Sequence, residues 1–160
     1  MIAVPINAQL VSMSDGSVNI CEGMFFDSGG KEHNYGSDEQ FTLTIFPEKA
    51  SLLTRLIFYE FDLNEDDYLA VFDGNSSRSP SLGVFNKENP VPKSIKASNR
   101  NQTGSLTFVF HSFSMSSARG WIADINCLER QSDELSNTPT ASENVNEFIV
   151  FVSGIVDSNH

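Results

Sequence analysis

Basic residues are scarce in this chain: 10 Lys and Arg stand against 21 Asp and Glu, a formal net charge of −11. A surface of that sign repels polyanions, which excludes nucleic acid as a natural partner; the same acidity also serves solubility. Cysteine is nearly absent. Cys21 and Cys127 form no Cys-x-x-Cys pair and stand beside no His cluster, which argues against a zinc site. An isolated pair in a β-rich chain suggests one disulfide and an oxidising compartment, with two buried thiols as the alternative. His33, His111 and His160 show neither metal-ligand spacing nor a Gly-x-Ser-x-Gly companion, and read as surface or turn residues. Glu60 and Asp62 share a strand face in the manner of a glycosidase pair, but nothing names a cleft between them, so they read as solvated charges. No apolar run reaches the ~18–20 residues of a membrane-spanning helix, and no segment sustains a helical period.

Apolar material is plentiful: 39% of residues are hydrophobic, and 13 are Phe. In 160 residues that suffices for one domain with a packed core. Strand signals dominate. Residues 40–46 alternate with period two, and β-prone runs follow at 52–63, 67–72, 82–85, 94–97, 105–110 and 121–125. Between them lie turn clusters, among them Asp27-Ser28-Gly29-Gly30, Asp73 to Ser77, Asn89-Pro90 and Asn99 to Gly104. Short strands at such spacing predict an all-β sandwich or barrel. Residues 128–146 are polar and Ser/Thr-rich, as in a linker. A strand-forming segment, uncharged from 148 to 156, then occupies 147–160. At the other end, residues 1–20 begin with Met1 to Gln9, which reads either as the tail of a signal peptide or as an apolar first strand.

Specific residues carry a family resemblance. Cys21-Glu-Gly-Met-Phe25-Phe-Asp27-Ser-Gly-Gly30 is followed by Asn34-Tyr35, then by the strand Phe41 to Pro47. Phe58-Tyr-Glu-Phe61-Asp62 precedes Asp67-Tyr68-Leu-Ala-Val-Phe-Asp73-Gly74. Leu82-Gly83, Gly104 to Phe110 and Gly120-Trp121-Ile-Ala123-Asp-Ile125-Asn-Cys127 complete the series. In order and spacing, residues 21–127 resemble a CUB domain, in particular the variety of bacterial surface proteins. The resemblance implies a two-sheet jelly-roll-like sandwich, an extracellular setting, and a non-catalytic binding or assembly role. Two departures stand out. The sole cysteine pair would join the first and last core strands, whereas typical members carry two short-range disulfides. Many members also bind calcium, and here Asp67 matches one ligand position, the neighbourhood of Glu65 another, while Phe113 stands at the third. Calcium takes six to eight oxygens, so binding at Glu65 and Asp67 is expected to be weak or absent, and no cofactor is implied.

The remaining features refine the expectation. Asn75-Ser76-Ser77 and Asn101-Gln102-Thr103 are N-glycosylation sequons in predicted turns. Trp121 is expected in the core, and Asp27 to Gly30 in a turn needing positive φ. Phe148, Ile149, Val150, Phe151, Val152, Ile155 and Val156 form a strand apolar on both faces, with no charge or Pro to guard it. The functional expectation is an extracellular structural or adhesive module, a homo-oligomer or filament built by donating this strand to a neighbouring subunit. The alternative is a monomeric module of a larger cell-surface protein, binding a protein or glycan through its loops.

Overall fold

The computed structural model describes residues 8–113 and 115–132. The chain divides into two units, Met1–Arg130 and Gln131–His160, and the strands described lie in the first. Ten strands follow in order: β1 (Gln9–Ser12), β2 (Gly16–Asn19), β3 (Glu22–Phe26), β4 (Gln40–Phe46), β5 (Leu52–Asp62), β6 (Tyr68–Phe72), β7 (Ser81–Phe85), β8 (Ser94–Lys96), β9 (Leu106–His111) and β10 (Gly120–Glu129). They form two five-stranded sheets, β1-β3-β10-β5-β8 and β2-β4-β9-β6-β7. Pairing is antiparallel except where β1 joins β3 and β2 joins β4, both parallel. The first strands therefore lie along one edge of each sheet, and the turn at Ser14–Asp15 carries the chain from one layer to the other.

Alternation explains the layers. Leu43 and Ile45 of β4, Phe108 and Phe110 of β9, and Trp121, Ala123 and Ile125 of β10 point between the sheets and are buried. Trp121 packs against Phe25 at 5.5 Å and Phe110 at 5.1 Å between ring centroids, and Phe25 meets Phe108 at 5.0 Å. On the outer face of β4, Thr44 is also buried, because its hydroxyl bonds Thr107 across the ladder at 2.8 Å. This sandwich is the fold expected from the strand pattern. The domain extends further than 21–127, however: β1 and β2 precede it, Leu128 and Glu129 belong to β10, and Arg130 is pinned behind them. The Arg130 guanidinium donates to the carbonyls of Ala50, Asn99, Asn101 and Gln102, joining two loops at the end of the strand.

Cys21 and Cys127 are disulfide-bonded, with Cα atoms 5.1 Å apart and a sequence separation of 106. They continue the β3–β10 ladder one step beyond Asn126↔Glu22. Closing so long a loop restricts the unfolded chain, which corresponds to about 4–5 kcal/mol. Replacing both cysteines by serine is expected to lower the unfolding free energy by roughly 2–5 kcal/mol in urea titrations. A loss under about 1 kcal/mol would show that the bond constrains little.

Candidate functional site at the loop end of the sandwich

The ends of β3, β5 and β9 and the starts of β4, β6 and β10 meet at one end of the sandwich, and two carboxyl groups are buried there. Asp67 immediately precedes β6, and its side chain is 0% exposed. Its Oδ1 accepts the Phe113 amide at 3.0 Å, and its Oδ2 accepts the Tyr35 hydroxyl at 2.6 Å and the Ser116 hydroxyl. Tyr35 Oη in turn accepts the Asn64 amide at 2.9 Å. Burial, then the hydrogen bond to Asp67, hold the Tyr35 phenol above its ordinary range. Further bonds close the same cluster: Ser117 Oγ to the Tyr35 carbonyl, Asn64 Nδ2 to the Ser117 carbonyl, and Ser37 Oγ to the Ser116 carbonyl. Three loops are thereby tied to one carboxyl group.

Asp67 and Glu65, the weak metal-ligand candidates of the sequence, are placed differently. Asp67 faces inward and its oxygens are engaged by three donors, whereas Glu65 and Asp66 are exposed. Phe113 contributes its backbone N–H where the resemblance would place a carboxylate. Among the described residues no group of three or more His, Cys, Asp or Glu could hold a metal ion. This donor set does not fit calcium, which needs several oxygens free to converge.

Asp27, at the end of β3, is the second buried carboxyl, 1% exposed. Its Oδ1 accepts the Gly29 amide at 2.8 Å, which builds the turn expected at 27–30, with Gly30 at φ 69°. Gly120 lies against it at φ 77°; a Cβ there would come within 2.1 Å of Asp27 Oδ2, so only glycine fits. Burial pushes the Asp27 carboxyl up to about 6, the nearby Glu39 charge adds to the rise, and the Gly29 and Trp121 amides oppose it. Glu39 itself is held by the Gly36 amide at 3.1 Å and by the Ser28 hydroxyl.

The other predicted site residues lie apart from these two centres. Asn75 is exposed in the β6–β7 turn. Asn101 is 8% exposed, contrary to the accessible turn expected of it. Its Nδ2 donates to Asp73 Oδ1 at 2.8 Å and the Ser105 carbonyl at 2.7 Å, and its Oδ1 accepts from Thr103 and Gly104. His111 is neither a turn nor a freely exposed residue. It sits in β9, stacked on Tyr68 at 5.6 Å and against Phe113 at 4.2 Å. Glu60 pairs with Arg119 at 3.1 Å, not with Asp62. Phe148, Ile149, Val150, Phe151, Val152, Ile155, Val156 and His160 lie outside the described residues. Sequence reasoning passed over Tyr35 and Ser116 as functional positions; only the Asn34-Tyr35 match hinted at the first.

No family model matches the chain. Among curated proteins it is similar to cubilin of Canis lupus familiaris, 38% identical over 74 residues, which is 43% of this chain and 2% of that protein. It is also similar to cubilin of Sus scrofa, 29% identical over 113 residues, 66% of this chain and 3% of that protein. The chain thus spans only a few hundredths of the length of the curated relatives it matches. Among solved structures, the MASP-1 CUB2 domain bound to Ca2+ superposes with a TM-score of 0.53 at 20% identity, covering 71% of this chain and 98% of that one. The CUB1-EGF-CUB2 region of human MASP-1/3 gives 0.55 at 20% identity, over 79% of this chain and 47% of that one. The extracellular region of zebrafish Gpr126/Adgrg6 gives 0.57 at 14% identity, over 73% and 15%.

The Asp27 carboxyl yields a pH-dependent expectation. Because its folded pKa lies above the ordinary 3.8, the folded state binds the extra proton between about pH 4 and 6. Its contribution to stability is therefore full below about pH 4 and falls as pH rises to about 6, by on the order of 2–3 kcal/mol. Carboxyl-carbon NMR is expected to show Asp27 titrating near pH 6. A midpoint near the ordinary aspartate value would contradict this.

Proposed function

Residues 9–130 form a domain with the CUB fold, and from that premise we propose that the chain is an extracellular, non-catalytic binding module whose partner is a second copy of itself. The fold likeness supports the binding role. The disulfide supports an oxidising, extracellular setting. What carries self-association is the run 148–156, nine residues without charge or Pro, tethered behind the polar segment 128–146. A strand of this composition gains main-chain hydrogen bonds and buried side chains by joining another sheet. Donation from each subunit to the next, if it does not close a ring, builds a filament.

Light scattering coupled to size exclusion tests this reading. The weight-average mass is expected to rise with concentration above the 17.7 kDa of one chain. A mass fixed at one chain from micromolar to millimolar concentration would contradict it, and would favour a monomeric recognition module. Such a module would bind through the loop end, where Met115 is 97% and Phe113 43% exposed beside Glu65 and Asp66.

We infer also that the two sequons differ in use. Asn75 is open to an oligosaccharide, whereas a sugar on Asn101 Nδ2 would displace a hydrogen bond inside its loop. Secreted from a cell that performs N-glycosylation, the folded protein is expected to carry glycan at Asn75 and none at Asn101. Peptide mapping after peptide-N-glycosidase treatment reads this directly, and occupancy at Asn101 would refute it.

A further inference from the structure

β5 is the longest strand of the sandwich, and the strands beside it cover it unequally. β10 accompanies it along its whole length, from Leu52↔Glu129 to Asp62↔Gly120. On the other side, β8 pairs only Arg55, Leu56 and Ile57. One more bond, from the Phe58 amide to the Lys93 carbonyl at 2.8 Å, ends that ladder. Past Phe58, residues 59–62 have a strand on one side and, among the described residues, none on the other. The chain before β8 diverges there and leaves a groove of about 390 Å3 lined by Phe58, Tyr59, Glu60, Phe61, Val91 and Lys93. Tyr59, which the β10 register skips, is 48% exposed.

The other sheet edges are less receptive. On β7, Asn89 Nδ2 already donates to the Val84 carbonyl, and the Gly83 amide to Ser81 Oγ. β8 has three residues, one of them Lys96, and β1 and β2 have four each. Short, capped or charged edges resist pairing. Among the described residues, the β5 edge combines an unpaired stretch with an aromatic groove.

We propose that this open edge of β5 accepts the C-terminal strand, residues 148–156, of a second copy, prolonging the line of β8 past Phe58. This rests on the self-association proposed above. The donor is apolar on both faces, so whichever face turns to the groove meets Tyr59, Phe61 and Val91. The described domain ends at Arg130, beside the Leu52 end of β5, whereas the open edge lies at the Asp62 end. The tether of the donor and the acceptor edge thus start from opposite ends of one strand, an arrangement that suits a head-to-tail contact able to propagate. The segment 131–147 spans up to roughly 55–60 Å when extended, ample for a neighbour.

The test uses the full chain in three forms: wild type, Tyr59→Lys and Val150→Lys. Because Tyr59 is half exposed, the variant is expected to keep the wild-type circular dichroism and melting; Tyr59→Ser serves if it does not. Both Tyr59→Lys and Val150→Lys are expected to weaken assembly at least tenfold in concentration by light scattering. A Tyr59→Cys chain mixed with a Val150→Cys chain is expected to give a cross-linked pair on a non-reducing gel. If Val150→Lys abolishes assembly while folded Tyr59 variants assemble like wild type and the mixture does not cross-link, the acceptor is wrong and self-association stands. If Val150→Lys assembles like wild type, or the wild type never assembles, strand donation itself is wrong and the acceptor falls with it.

Discussion

A buried carboxyl group with three donors governs one whole end of this sandwich. Leaving such a group unpaired in a protein interior costs several kcal/mol, so the chain must bring donors to Asp67 or leave it in water. The donors come from Tyr35, Phe113 and Ser116, in two segments far from Asp67 in sequence. Satisfying one side chain therefore ties together the 35–38 and 63–67 loops, Phe113 and residues 115–118. The Tyr35 ring then lies edge-on to Phe110 at 5.1 Å, which ties the loops to the core behind them. At the opposite end, the disulfide and the Arg130 guanidinium do the corresponding work on the 47–50 and 99–104 loops.

With both ends held, the sheet edges decide where a further strand can add. The edges are mostly short or capped by side chains, as expected of a β-protein that must avoid indiscriminate pairing. The exception at residues 59–62 arises from a mismatch in length between β5 and β8, not from any unusual residue. Such an edge lends itself to a partner that supplies main-chain hydrogen bonds and apolar side chains, which is the chemistry of the C-terminal run.

Much of the architecture is legible in the sequence. β4 spans Gln40–Phe46, the limits that strict alternation predicts, because a half-buried antiparallel strand writes its period directly into the residues. β1 and β2 carry no such signal: four residues each, largely polar, they are strands only because β3 and β4 offer parallel edges. The candidate site was legible in composition but not in orientation. Glu65, Asp66 and Asp67 look alike as three successive acids, and only the turn into β6, with the Asp67 amide bonded to the Asn64 carbonyl at 3.2 Å, sends the third inward. Likewise the Asn101 motif reads as a sequon, while its partner Asp73 lies 28 residues away and is invisible to a local pattern. The open edge on β5 depends on where β8 stops, which no single strand reveals.

Hydrogen bonds to Asp67 organise the loop end, and they satisfy its carboxyl group without calling on a metal ion. Thermal unfolding in millimolar calcium and in excess chelator tests it most directly. A ligand present at 100 times its dissociation constant would add about 2.7 kcal/mol, a shift of several degrees in a domain of this size. The expected result is the same melting temperature within about 1 °C in both buffers. A melting temperature several degrees higher in calcium would contradict the account.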